Sequence, residues 1–300
     1  MIKVPFGRPD ISKKEIKAVL KVLKSPILAH GPLSHEFEKI FSKYTGSKFA
    51  TTVSSWTAGM HLFYLANNIK DGDEVIVTSQ SHVSTGHAIS LTGAKPIFID
   101  CNSYNGTIDV NKIQEKITKK TKAISLVHHL GNPADMKSIG KIAKKYKLLV
   151  LEDCATALGA KINNKHVGNF GDAGVFSFYP IKHITTGEGG IVISNNKKII
   201  DKINKLKAFG VNKSFLQRRV PGEYDADLLG LNYRMNEISS AIGIEQIKRF
   251  PKFLLIRKKN YDYLFSKIIK KNSFNIVEFE NKPHYGSYYC LCIVLNDKKI

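Results

Sequence analysis

The feature that most limits what this chain can fold into is an alternation of short β-rich runs with helical stretches. KFATTVSS (48–55) reads as a strand and WTAGMHLFYLANN (56–68) as the helix that follows it. DEVIVTS (73–79), KPIFID (95–100), KAISLVH (122–128) and LLVLED (148–153) repeat the strand signal, with helical or polar sequence between them. Strands alternating with helices predict an α/β fold, a mostly parallel sheet covered by helices on both faces. Upstream, Ser12 and Glu15 form a capping box ahead of Ile16, Val19, Leu20 and Leu23 at helical spacing. A second helix is expected from about Ser34 to Tyr44, stopped by Gly46.

Beyond residue 153 the rhythm changes. GAKINNKHVG (159–168) predicts a hairpin turning at Asn163-Asn164, and GVFSFYP (174–180) and GGIVISN (189–195) two further strands. From about Asn236 to about Lys271 the pattern is helical. The last thirty residues, ending HYGSYYCLCIVLNDKKI, start something strand-like, with an exposed edge expected at 286–295 that would invite aggregation. No internal repeat and no long linker is visible.

Three hundred residues with 43% hydrophobic content suffice for one large domain and a smaller one. A chain of this size buries roughly 75% of its unfolded surface, so no disulfide or metal staple is needed. Cys101, Cys154, Cys290 and Cys292 form no CxxC pair and no zinc-spaced cluster with histidine. They read as reduced thiols, and no metal site is expected. MIKVPFGRPD lacks the apolar core of a signal peptide, and no apolar run reaches the roughly 18 residues of a membrane span. A soluble, cytoplasmic protein is the expectation. The net charge of +21 raises the question of nucleic acid. Only six residues are arginine, the better fork for phosphate and base edges, and the lysines are spread over nearly every element. No nucleic-acid partner is expected, and the surplus is available to attract an anionic small substrate.

Four segments carry candidate chemistry, each weak alone. Val150-Leu151-Glu152-Asp153 is an apolar strand ending in carboxylates, and ligands of open α/β sheets bind at such carboxyl ends. A lone acid there is more often a helix cap. Lys182 sits in Ser177-Phe178-Tyr179-Pro180-Ile181-Lys182-His183, between a rigid proline and the turn Thr185-Thr186-Gly187-Glu188-Gly189-Gly190. Its neighbours set it apart from the many solvated lysines. Ser54-Ser55-Trp56-Thr57-Ala58-Gly59 is a strand-to-helix turn whose free amides suit a phosphate, although plain capping by Ser55 fits the same letters. Ser79-Gln80-Ser81-His82-Val83 follows a strand and offers a flat ring for stacking, or merely a helix-start histidine.

Together these segments resemble the DegT/DnrJ/EryC1/StrS family of sugar aminotransferases, which have the fold-type-I architecture of pyridoxal-phosphate (PLP) enzymes. The resemblance runs through Pro5-Phe6-Gly7-Arg8-Pro9, Gly31-Pro32, Gly72-Asp73-Glu74-Val75-Ile76-Val77, Gly93-Ala94-Lys95-Pro96, Glu152-Asp153, the 176–190 block and Asn232-Tyr233-Arg234-Met235. It implies PLP as cofactor, with Lys182 as the lysine that bonds it and Asp153 as the partner of its ring nitrogen. It also implies stacking by His82 and phosphate contacts from Ser177, Thr57 and the Trp56 amide. Asn232 would reach the phosphate bound by the neighbouring subunit of a homodimer.

The resemblance further implies transfer of an amino group, from glutamate, to a nucleotide-linked keto sugar, in amino-sugar synthesis for surface polysaccharide. The alternatives are a PLP- or PMP-dependent sugar 3-dehydratase, whose lysine position holds histidine, and an inactive PLP-binding remnant. Residues 1–245 would form the large cofactor-binding domain, and 246–300 the beginning of a small C-terminal domain cut short at Ile300. Trp56, Thr156 and His82 depart from the family's usual small residue, Gln or His, and Phe or Trp respectively, which leaves the substrate pocket open.

Overall fold

The computed structural model describes residues 7–29, 31–212, 220, 223–268, 274–277, 280–281 and 284–295. Pro5, Phe6 and residues 296–300, used above, lie outside them. The strands β1 (Phe49–Val53), β2 (Glu74–Thr78), β3 (Lys95–Ile99), β4 (Thr121–Val127) and β5 (Leu149–Asp153) fall where the apolar runs predicted them. The hairpin β6 (Lys161–Ile162) and β7 (Lys165–His166) turns on Asn163 and Asn164, both at positive φ, the backbone a tight hairpin requires. Strands β8 (Ala173–Ser177) and β9 (Gly190–Ser194) follow.

Seven of these strands form one sheet in the order β1-β9-β8-β5-β4-β2-β3. Neighbours from β3 to β8 pair in parallel, while β9 runs antiparallel to both β8 and β1. Val53, Thr78, Val127, Asp153 and Ser177 therefore end their strands along one edge, beside the start of β9 at Gly190. The fold is the expected α/β one.

The sheet separates two sets of side chains, as the two-residue period of a strand demands. Val75, Val77, Ala123, Leu151, Val175 and Val192 face helices α3 (Trp56–Ala66) and α6 (Lys197–Leu206). Phe176, Ile191 and Ile193 face the opposite way and meet Phe37, Phe41, Ile247 and Phe250 of α2 (Pro32–Thr45) and α7 (Glu237–Lys267). Ile76, Ile124 and Val150 on that side meet Ile139 and Ile142 of α5 (Met136–Tyr146). Burying each such side chain contributes about 1.5–3 kcal/mol. Helix α3 lies close on the sheet because Gly59 has no side chain: a Cβ there would stand 2.8 Å from Val175.

Local signals set the helix ends. Ser12 and Glu15 make the reciprocal capping box of α1 (Lys13–Leu23), and Gly46 closes α2 in the left-handed conformation. Asn236 caps α7, which ends at Lys267 and runs unbroken across the expected boundary at 245.

The C-terminal segment departs from expectation. Residues 286–292 are not strand, and Ser287 and Tyr288 are buried against the body of the protein. Only Ile293–Leu295 (β13) pair, antiparallel with Phe274–Ile276 (β10). The open edge expected over 286–295 is thus largely replaced by packing. Nearby, Glu280–Asn281 (β11) and His284–Tyr285 (β12) extend the hairpin into a four-stranded sheet, β11-β12-β6-β7.

Candidate active site

Asp153 closes β5 at the shared edge and is 4% exposed. Its Oδ1 accepts the Ala155 amide at 2.9 Å. The Trp56 indole N–H also acts on this carboxylate, short of regular hydrogen-bond geometry. Burial pushes its pKa up to about 6, against the opposing pull of the Ala155 amide, Lys182, His128 and the Trp56 indole.

Lys182 lies in the turn after β8, its amide bonded to the Tyr179 carbonyl at 2.9 Å. Burial lowers the pKa of its amine, partly offset by attraction to Asp153. The turn is fixed by Phe178, whose amide bonds Gly189 and whose carbonyl accepts from Thr186 N and Thr185 Oγ1. Gly187 at φ +83° supplies the reversal that other residues rarely adopt. A half-buried amine and a buried carboxylate thus lie near enough to act on each other's ionisation.

The α3 N-terminus approaches the same edge. Ser55 caps it, accepting from the Ala58 amide at 3.1 Å, which leaves the amides of Trp56 and Thr57 ahead of the first intrahelical bond. Gly190 lets this turn come close: a Cβ there would meet Trp56 N at 2.8 Å. Because Gly190 pairs with Ser177, the Ser177 hydroxyl and the free α3 amides share one corner. An anion fits such a corner, where amides and helix dipole act together. The capping and phosphate readings of Ser55 are therefore compatible.

His82 caps α4 (Val83–Ser90) beyond β2, two strands from Asp153, with Nδ1 2.7 Å from the Ser84 hydroxyl. Its ring is exposed at the same edge. Asn232 is also exposed and is held by the Arg234 Nε at 2.9 Å, with the Arg234 guanidinium 4.8 Å from the Phe209 ring centre. Among the described residues no hydrogen bond links it to Lys182 or Asp153.

Sequence reasoning missed three features. The first is Glu152, whose Oε1 accepts from Phe170 N and Gly171 N at 2.7 and 2.6 Å and whose Oε2 accepts from Gly168 N at 2.6 Å and pairs with His128 Nε2 at 2.8 Å. His128, Glu152 and Cys154 offer metal-type ligand atoms within 4.8 Å of one another. Protein donors already occupy the acceptor positions of this carboxylate, and burial raises the Cys154 thiol well above its usual range. The second is Ser287, which is fully buried. Its amide donates to the Gly131 carbonyl, its hydroxyl to the Thr156 carbonyl, and its carbonyl accepts from His183 Nε2, at 3.0, 2.7 and 2.9 Å. The third is Tyr289, whose ring centre is 5.6 Å from Lys182 Nζ. The repeated glycines of 168–171 hint at the first feature, but nothing local marks the contacts of 287 and 289.

An amine, a buried acid and free helix amides thus lie at the strand ends of an α/β sheet, a fold shared with solved aminotransferases. The sequence profile of the DegT/DnrJ/EryC1/StrS aminotransferase family matches residues 9–300, and the chain belongs to that family of PLP-dependent enzymes. A GDP-perosamine synthase of Escherichia coli O157:H7 is 39% identical over 294 residues, 97% of this chain and 78% of the relative. The Methanocaldococcus jannaschii protein MJ1066 is 43% identical over 249 residues, 82% of this chain but only 64% of that protein. Among solved structures, the Helicobacter pylori aminotransferase PseC, involved in the biosynthesis of pseudoaminic acid, superposes with a TM-score of 0.89 at 32% identity, covering 99% of this chain and 79% of PseC. The PMP-form of Spr1654 from Streptococcus pneumoniae gives 0.91 at 25% identity, covering 98% and 79%. No helix among the described residues is long and apolar enough to cross a membrane.

Proposed function

We propose that this chain is a PLP-dependent aminotransferase that moves an amino group from glutamate to a nucleotide-linked keto sugar, in amino-sugar synthesis for surface polysaccharide. One observation carries the reading: the Lys182 amine and the Asp153 carboxylate are both shielded and interact at the edge where the parallel strands end. The sugar reading is supported by what the relatives are named for, and the +21 charge suits a substrate bearing phosphates.

The residues present fit the cofactor. Asp153 is a buried acid with a single backbone donor, suited to hold a protonated ring nitrogen. The free amides of Trp56 and Thr57, with the Thr57 and Ser177 hydroxyls, would hold the phosphate; His82 would stack, and Asn232 would serve the second site of a homodimer. PLP supplies an electron sink when bound. The chain supplies the rest. Lys182, its pKa lowered by burial, gives up its proton more readily than a solvated lysine, as the amine that bonds a carbonyl and later carries protons must. We take residues 1–245 as the cofactor-binding domain, 246–300 as belonging to a second, smaller domain, and the cytoplasm as the compartment.

The test begins with colour. Protein supplied with PLP should absorb in the visible, and borohydride should fix the cofactor on the Lys182 peptide. Lys182→Ala should lose both, with activity falling roughly a thousandfold or more. Keto-sugar nucleotides offered with glutamate should give an amino sugar and 2-oxoglutarate. A 3-deoxy sugar would instead make the protein a dehydratase, and cofactor-loaded protein that turns over no keto sugar would make it a binding remnant.

A further inference from the structure

The first residue of α3 carries an unexplained polar atom. Trp56 is 7% exposed, yet its indole Nε1–H is buried and meets no acceptor of regular geometry. A buried donor without a partner is unfavourable, and native folds keep few of them. The ring belongs to the cluster formed with Leu151, Ala173 and Val175, the same face of the sheet to which odd-numbered residues of β5 point. Asp153 is the odd-numbered residue that ends β5. The indole N–H is near enough to favour the Asp153 anion.

We propose that Trp56 is a positioning residue for Asp153: its indole N–H donates to the ionised carboxylate and holds it toward the cofactor ring. The role rests on the PLP reading above, but the contact itself exists in the cofactor-free protein. Other titratable groups act on Asp153. Lys182 and His128 favour its charge, while Tyr64 and Cys154 feel that charge as unfavourable to their own ionisation. Tyr64 is turned to Ser125, its hydroxyl donating at 3.0 Å. Trp56 is thus a neutral donor among charged neighbours, able to orient the acid without setting its own charge against the cofactor.

The chain has a single tryptophan, so its fluorescence reports this one indole. In cofactor-free protein, emission should change with a midpoint near pH 6, where Asp153 titrates, and Asp153→Asn should abolish that step. A step that survives in Asp153→Asn belongs to a histidine, such as His61 on the same helix, and overturns the proposal. A flat profile between pH 5 and 8 overturns it as well. The second arm deletes only the N–H: biosynthetic replacement of tryptophan by benzothienylalanine keeps the ring shape and alters no other residue. PLP affinity at pH 7.5, read from absorbance, should weaken about tenfold, and its acidic midpoint should rise about one unit, the scale of one hydrogen bond to a charge. Unchanged affinity and midpoint would refute the role. Protein that binds no PLP fails the functional reading alone, since the first arm needs no cofactor.

Discussion

Glu152 and Asp153 are consecutive acids, both buried, and the protein treats them in opposite ways. The pleat of β5 sends them to opposite faces. Burial opposes the charge of Glu152 too, but His128 and the amides of 168–171 outweigh it and hold the carboxyl below the usual range. Asp153 has one amide where its neighbour has three, and its pKa rises to about 6. Complete satisfaction makes an acid structural. Incomplete satisfaction leaves it able to bind.

The largest effect should follow from breaking the satisfied side. Glu152→Gln replaces an acceptor of four hydrogen bonds with a group that can accept at one end only, stranding buried amides. A loss of about 3 kcal/mol or more is expected, a Tm fall of roughly 6–12 °C in thermal denaturation. A variant within a degree or two of wild type would mean the hub is dispensable.

The mirror experiment has the opposite sign. A carboxyl whose folded pKa is raised stabilises below its unfolded value and loses that stability as pH climbs through the folded one. For Asp153 the window runs from 3.8 to about 6, so ionisation costs the cofactor-free protein about 3 kcal/mol by pH 8. Asp153→Asn keeps an acceptor for Ala155 and removes the charge. Without cofactor it should be more stable than wild type at pH 8 by roughly that amount and equal to it below pH 4 in urea denaturation. It should bind PLP poorly at both. Wild-type affinity has the opposite pH dependence and should fall as pH drops through about 6 and the acid becomes neutral. A variant less stable at pH 8 would show Asp153 already paired.

How much of this contrast the sequence carried depends on range. Strand runs, the capping box at Ser12 and the Asn163-Asn164 turn are set by residues within a few positions of one another, and each was legible. The acid ending β5 and the proline–glycine frame of Lys182 stood out for the same reason. What could not be read were contacts across large separations. Glu152 meets amides 16 to 19 residues on, and Ser287 meets His183 at a separation of 104. No periodicity encodes such pairings. Trp56 is the instructive middle case: its helix-start position was visible, but the direction of its ring was set by packing on β5 and β8.

The smallest effect should come from the wall on the open side of the contrast. Ser287 links the loops after β4, β5 and β8, through Gly131, Thr156 and His183, so it frames the Asp153 edge without touching Glu152. Two of its three bonds use its backbone and survive substitution. Ser287→Ala removes only the hydroxyl bond to the Thr156 carbonyl, a loss of about 1 kcal/mol. His183, which burial holds neutral with a pKa of about 3, should still donate to the 287 carbonyl, so the lysine loop keeps its anchor. The expected result is a Tm lower by roughly 2–4 °C with PLP affinity changed less than about threefold. A tenfold loss of affinity would instead mean that the C-terminal segment shapes the acid's open side directly, and that the contrast between the two carboxylates is set from outside the sheet.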